Sequence, residues 1–152
     1  MGLSYEDLEV GRTYEVGSHT FTRDEIVQFA SQFDPQPFHL DDAAGAASMF
    51  GGLAASGWHT CSVMMGLFAR HVLNGSTAMG SPGIDEIRWY KPVLVGDTIT
   101  MTTTIGGKRV SASKPDRGIV DVQWDGTNQR GEKAVVVRTK VMFGLRKPGG
   151  AA

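Results

Sequence analysis

Asp34 and His39, a carboxylate and an imidazole five positions apart, are the residues of this chain best suited by type and spacing to do chemistry. Held at a fixed separation, such a pair can take a proton from a bound water and make it a nucleophile. Two prolines, Pro35 and Pro37, lie between them. Each fixes its own φ and pushes the residue before it, here Asp34 or Gln36, towards extended geometry. The connection is therefore stiff: a helix ending near Phe33 turns sharply and re-emerges at His39. An ordinary helix end would use the same residues differently, with Asp34 in a turn and His39 satisfied by a backbone carbonyl. The apolar flanks, Phe33, Phe38 and Leu40, favour the edge of a pocket.

Elements on either side must hold that pair. Alternation from Gly11 to Phe21 suggests a first strand. Thr22 and Glu25 form a capping box opening a short helix through Ile26, Val27, Phe29 and Ala30. Asp41-Asp42 cap an alanine-rich segment, 43–49, which Gly51-Gly52 breaks. A long helix is predicted from Ser56-Gly57 to a stop at Asn74-Gly75. Its residues, Trp58, Cys61, Val63, Met64, Met65, Leu67, Phe68, Val72 and Leu73 among them, are apolar on nearly all sides, which predicts a buried helix. After Gly83 the pattern becomes strands: 84–90, 97–105, 109–113, 118–124 and 134–145. Gly106-Gly107 is read as a turn, and Asp125-Gly126 with Arg130-Gly131 as the last hairpin. Helices first and strands later predict an α+β fold, one buried helix wrapped by an antiparallel sheet.

Composition narrows the function classes. The 152 residues suit one domain, and an apolar fraction of 41% is enough for a core. Fifteen basic and sixteen acidic residues give a net charge of −1, against a general nucleic-acid binder, though a local basic groove for phosphates stays possible. The single cysteine, Cys61, excludes an internal disulfide or a cysteine-based zinc site. The four histidines, His19, His39, His59 and His71, lack metal-ligand spacing, so no metal is expected. The longest apolar stretch, 61–69, is too short to span a bilayer. The first residues hold no apolar signal core, so a cytoplasmic protein without membrane partners is expected. Residues 147–152 read as a disordered tail after one domain over 1–146.

Three blocks of residues resemble the MaoC-like dehydratases and (R)-specific enoyl-CoA hydratases, a branch of the hot-dog fold. Asp34-Pro35-Gln36-Pro37-Phe38-His39 matches that family's D-x-N-P-x-H in its Asp, second Pro and His, with Gln36 in place of Asn. Phe50-Gly51-Gly52-Leu53-Ala54-Ala55-Ser56-Gly57 is similar to the family's approach to the central helix. Trp89-Tyr90-Lys91-Pro92-Val93-Leu94-Val95-Gly96-Asp97 is similar to its P-V-x-x-G-D turn.

The resemblance implies reversible addition of water to a trans-2-enoyl thioester, giving an (R)-3-hydroxyacyl-CoA. Asp34 and His39 would activate the water, and the Gly57 N–H, at a helix N-terminus, would stabilise the thioester oxyanion. Some relatives add a serine where this chain has Met65; Ser62 or Thr60 are candidate replacements. Ser56, Phe38, Trp58, Met64, Gly83 and Ile84 are candidate substrate contacts, and Arg88 and Lys91 candidate partners for coenzyme A phosphates. No separate cofactor is implied, since coenzyme A is part of the substrate. A homodimer or dimer of dimers, with sheets joined edge to edge and the acyl-CoA site at the seam, is implied. A thioesterase on the same fold and a non-catalytic acyl-CoA-binding domain are the alternatives.

Overall fold

The computed structural model describes residues 2–146. The expectation of a disordered tail over 147–152 lies outside the described residues.

The chain runs β1 (Thr13–Thr20), α1 (Arg23–Phe33), α2 (Pro37–Leu40), α3 (Asp42–Ala47), α4 (Gly57–Phe68), β2 (Gly83–Trp89), β3 (Thr98–Val110), β4 (Arg117–Thr127) and β5 (Lys133–Gly144). Local chemistry sets the helix boundaries. Thr22 Oγ1 accepts from the Glu25 N–H at 3.3 Å while Glu25 Oε2 accepts from the Thr22 N–H at 3.1 Å, the expected capping box. Asp34 precedes Pro35 and leaves the helical region at φ −156°, ψ 67°, ending α1. Pro37 occupies the first turn of α2, where its missing N–H costs nothing. Asp41 caps α3 through the Ala44 N–H at 2.9 Å.

All strand pairings are antiparallel, in the order β1-β3-β4-β5-β2, so β1 and β2 are the edges. Helix α4 packs against this sheet as the sequence pattern predicts. Thr60, Met64, Leu67 and Phe68 fall on one helical face and are buried, and Val72 extends that face in a following wide turn, Ala69–Leu73. The helix is not buried all round. Trp58 is 57% exposed and Met65 42%, because the sheet and α1 cover other sides of α4 and among the described residues these two side chains are left largely uncovered. The core is filled from both layers by Phe21, Ile26, Phe68, Ile99, Val120 and Phe143.

One expected turn is absent, and the last hairpin turns later than Asp125-Gly126, at Arg130-Gly131. Gly106 and Gly107 lie inside β3, where register slips between Ile105↔Val122 and Lys108↔Val120. Two residues there oppose one, a bulge that bends the strand without reversing it. A Cβ on Gly106 would sit 3.1 Å from the Asp121 Cβ, so glycine permits the close crossing. The predicted separate strand 109–113 is therefore the end of β3 and its exit. Asp125-Gly126 likewise lies within β4, and the chain reverses at Asn128 to Gly131, where the Gly131 N–H reaches Asn128 O at 3.0 Å. No described helix is long and apolar enough to cross a membrane.

Candidate active site

The end of α1 and the short helix α2 bring Asp34 and His39 together. Asp34 Oδ2 and His39 Nε2 are 3.3 Å apart, with the imidazole side chain 6% exposed and the carboxylate 18%. His39 Nδ1 lies 2.6 Å from the Ala54 carbonyl oxygen. A carbonyl can only accept, so Nδ1 carries a proton and Nε2 is the nitrogen turned towards Asp34. Phe38 and Phe50 box the ring, Phe38 edge-on at 4.7 Å and Phe50 nearly parallel at 6.2 Å. The backbone-carbonyl contact expected of an ordinary helix end is present on one nitrogen, and the other nitrogen faces Asp34.

Asp34 is held from two more directions. Oδ1 accepts from Gln36 Nε2 at 2.6 Å, and Oδ2 accepts from Ser56 Oγ at 2.7 Å. Partial burial opposes the carboxylate charge, but the Gln36 and Ser56 donors and the nearby His39 outweigh it and hold the carboxyl below its ordinary range. Ser56 also caps α4, accepting from the Trp58 N–H at 3.3 Å. Gly57 opens that helix. An added Cβ at Gly57 would lie 2.6 Å from Trp89 Cε2, so the indole occupies the space a side chain would need. Trp89 Nε1–H donates to Gly57 O at 3.1 Å, fixing the ring there.

These residues border a cavity of about 460 Å³, lined by Asp34, His39, Gly57 and by Phe38, Trp58 and Lys91 of the predicted contacts. Trp58 and Trp89 meet edge to face at 5.7 Å. Lys91 is at the rim and also 3.6 Å from Glu132. Ser56 lies behind the cavity, bonded to Asp34, rather than on its wall.

Four predicted contacts fall elsewhere. Met64 is on the same helical face as Gly57 and Thr60 but one turn deeper. It is fully buried beneath β4, where an added Gly126 Cβ would touch its Sδ at 3.2 Å, so it fills core rather than pocket. Gly83 and Ile84 open β2, whereas Trp89 ends it. At about 3.3 Å per residue the strand carries them roughly 17 to 20 Å from Trp89 at the cavity. Arg88 neighbours Trp89 but points to the opposite strand face and pairs with Glu86 at 3.1 Å.

Sequence reasoning missed other lining residues: Met49, Phe50, Trp89, Tyr90 and Val93. Phe50, Trp89, Tyr90 and Val93 stood within the quoted motif blocks, which was the available signal. Of the two candidate hydroxyls on α4, Thr60 borders the cavity, while Ser62 Oγ donates back to Trp58 O at 2.7 Å. His59 is a packing residue. It stacks on Phe29 at 4.9 Å and lies 3.4 Å from Glu25, and burial, partly offset by Glu25, pushes its basicity down. Asp97 of the third block closes its turn, accepting from the Leu94 N–H at 2.9 Å and from Gln129 at 2.8 Å. Among the described residues no group of three or more His, Cys, Asp or Glu is arranged to hold a metal.

Comparison with known proteins places this geometry. Residues 7–128 match the family described as "MaoC like domain". A MaoC-like dehydratase from Rhodospirillum rubrum superposes with a TM-score of 0.88 at 42% identity, over 96% of this chain and 99% of that one. The (R)-hydratase from A. caviae involved in PHA biosynthesis superposes at 0.70 with 28% identity, over 90% of this chain and 97% of that one. An uncharacterised Bacillus subtilis protein, YdeM, is 23% identical over 142 residues, covering 90% of this chain and 99% of the relative.

Proposed function

The chain belongs to the MaoC-like domain family, with its hot-dog fold, and from that premise we propose that it hydrates a trans-2-enoyl-CoA reversibly to an (R)-3-hydroxyacyl-CoA. The observation that carries the reading is the Asp34–His39 contact, 3.3 Å apart at a cavity that the first residue of α4 also borders. Asp34 and His39 share one proton and seat the water. As the water oxygen bonds to C3, the C2=C3 π bond breaks and its electron pair moves towards the thioester oxygen as an enolate. The water's proton passes through the pair to C2, so hydration consumes one water and leaves the enzyme as it began. The roles of acid and base belong to the pair rather than to either residue.

The Gly57 N–H is the oxyanion donor. It stands at the positive end of α4, and Ser56 Oγ bonds to the next N–H instead. No metal or cofactor enters this scheme, since the thioester supplies its own electron sink. Lys91 is placed at the rim for an anionic group of coenzyme A. The working assembly is a homodimer or dimer of dimers. Edge strand β2, with Ile84 55% exposed and Trp89 46%, and the open face of α4 support pairing through this side.

The test is to incubate purified protein with trans-2-enoyl-CoA esters of increasing length and resolve product stereochemistry. The (R)-3-hydroxy product is expected. Release of free coenzyme A without hydration would replace this reading with a thioesterase. Binding without either reaction would replace it with an acyl-CoA-binding domain. Light scattering on the same protein checks the oligomer.

A further inference from the structure

Ser56 is completely buried, and its hydroxyl works in two directions. It accepts the Trp58 N–H at 3.3 Å, so its own proton must point to a different atom, and it goes to Asp34 Oδ2 at 2.7 Å. Oδ2 is also the oxygen 3.3 Å from His39 Nε2, whereas Oδ1 is bonded to Gln36. We propose that Ser56 is a positioning residue: its hydroxyl keeps Asp34 Oδ2 ionised and aimed at the water shared with His39. This deepens the hydratase reading and rests on it.

The argument comes from how the stretch 54–57 is built. His39 is tied to it through Ala54 O, Asp34 through Ser56 Oγ, and the proposed oxyanion donor is its last residue, Gly57. The stretch is itself pinned, with the Ala54 N–H on Phe38 O at 3.1 Å and the Ala55 N–H on Val93 O at 2.8 Å. One short backbone segment therefore sets the relative positions of carboxylate, imidazole and oxyanion donor. Ser56 is the side-chain member of that arrangement. A donor to an ionised oxygen favours the charged form and fixes its direction. Without it, Asp34 keeps only the exposed Gln36 donor on Oδ1, and Oδ2 can turn about that tether and close over the water's seat. Misplacing a reacting group by about 1 Å can cost on the order of 10²-fold.

Ser56 also caps α4, so the test must separate capping from positioning. Glycine is nearly as good a cap as serine but has no hydroxyl. Ser56→Gly is expected to lower kcat roughly 10- to 100-fold with KM within about twofold. The acid limb of its kcat/KM profile should move to higher pH, because the charged form of Asp34 loses a donor. Ser56→Thr should recover most of kcat. Ser56→Asp keeps a capping oxygen but places a second carboxylate against Asp34, and should be less active than the glycine variant.

The Asp34 carboxyl, followed by carbon-13 NMR in the same proteins, should titrate at higher pH in Ser56→Gly than in wild type. An unmoved Asp34 titration, or wild-type kcat in Ser56→Gly or Ser56→Asp, would overturn the proposal and leave Ser56 a helix cap. If wild-type protein hydrates no enoyl thioester, the hydratase reading fails. The NMR titration then still decides whether Ser56 sets the ionisation of Asp34.

Discussion

Replacing both members of the Asp34–His39 pair should cost little more than replacing one. A positioned acid–base group is worth about 10²–10⁴-fold in rate, or roughly 2.7–5.5 kcal/mol. Independent groups would multiply, giving a loss on the order of 10⁴–10⁸ for the double variant. Here the two atoms are 3.3 Å apart, close enough to act on the same bound water. Both groups serve one water in the proposed mechanism. Asp34→Asn, His39→Ala and the double variant should therefore lie within about tenfold of one another. The fold should survive Asp34→Asn. Asparagine matches the shape, and the exposed Gln36 amide can turn to offer its oxygen, so we expect a stability loss within about 1–2 kcal/mol.

The pH dependence has a defined sign. Asp34 is held below the ordinary carboxylate range, so its contribution to stability is present above the unfolded value of about 3.9. That contribution disappears as pH falls through the lowered folded value, and Asp34→Asn should remove this part of the acid unfolding profile. The rate assay is the loss of enoyl thioester absorbance, with urea unfolding on the same samples. Single-variant losses that multiply in the double variant would refute the shared-water mechanism.

Other outcomes follow from particular contacts. Gly57→Ala drives a Cβ to 2.6 Å from the Trp89 ring and should displace the indole, breaking its 3.1 Å bond to Gly57 O. A change in tryptophan fluorescence, a stability loss of about 1–2 kcal/mol and a drop in kcat are expected; unchanged fluorescence would contradict the packing. Met64→Ala should destabilise by about 2–5 kcal/mol in denaturant melts while KM for the enoyl thioester stays within about twofold, since Met64 fills core. Burial pushes the Cys61 thiol up to about 11, so Ellman's reagent at pH 8 should label it slowly until the protein is unfolded.

What the sequence determined by itself were the features whose cause acts within about one helical turn. Thr22 with Glu25, Asp41 before Ala44 and Ser56 before Trp58 each cap the backbone beside them, and each capping oxygen is in place. Proline stereochemistry likewise stops α1 at Asp34 and starts α2 at Pro37, so the Asp34–His39 pair could be read as neighbours from five residues of chain. Apolar pattern identified α4 and the strands, because burial on folding follows side-chain hydrophobicity.

The tertiary structure decided everything that depends on which distant surfaces meet. Gly106-Gly107 and Asp125-Gly126 carry turn-like residues, yet one pair makes a bulge over Asp121 and the other admits Met64 beneath the sheet. Composition alone does not distinguish a glycine that bends from one that lets another group approach. Met64 and Thr60 share a face of α4, and only the depth of the covering sheet makes one core and the other pocket. Ser56 was read as a substrate contact because its partner, Asp34, lies 22 residues away. Trp89 meets Gly57 across 32 residues. Such contacts form when the curved sheet brings β2 to the start of α4, and that curvature depends on the whole chain rather than on any segment of it.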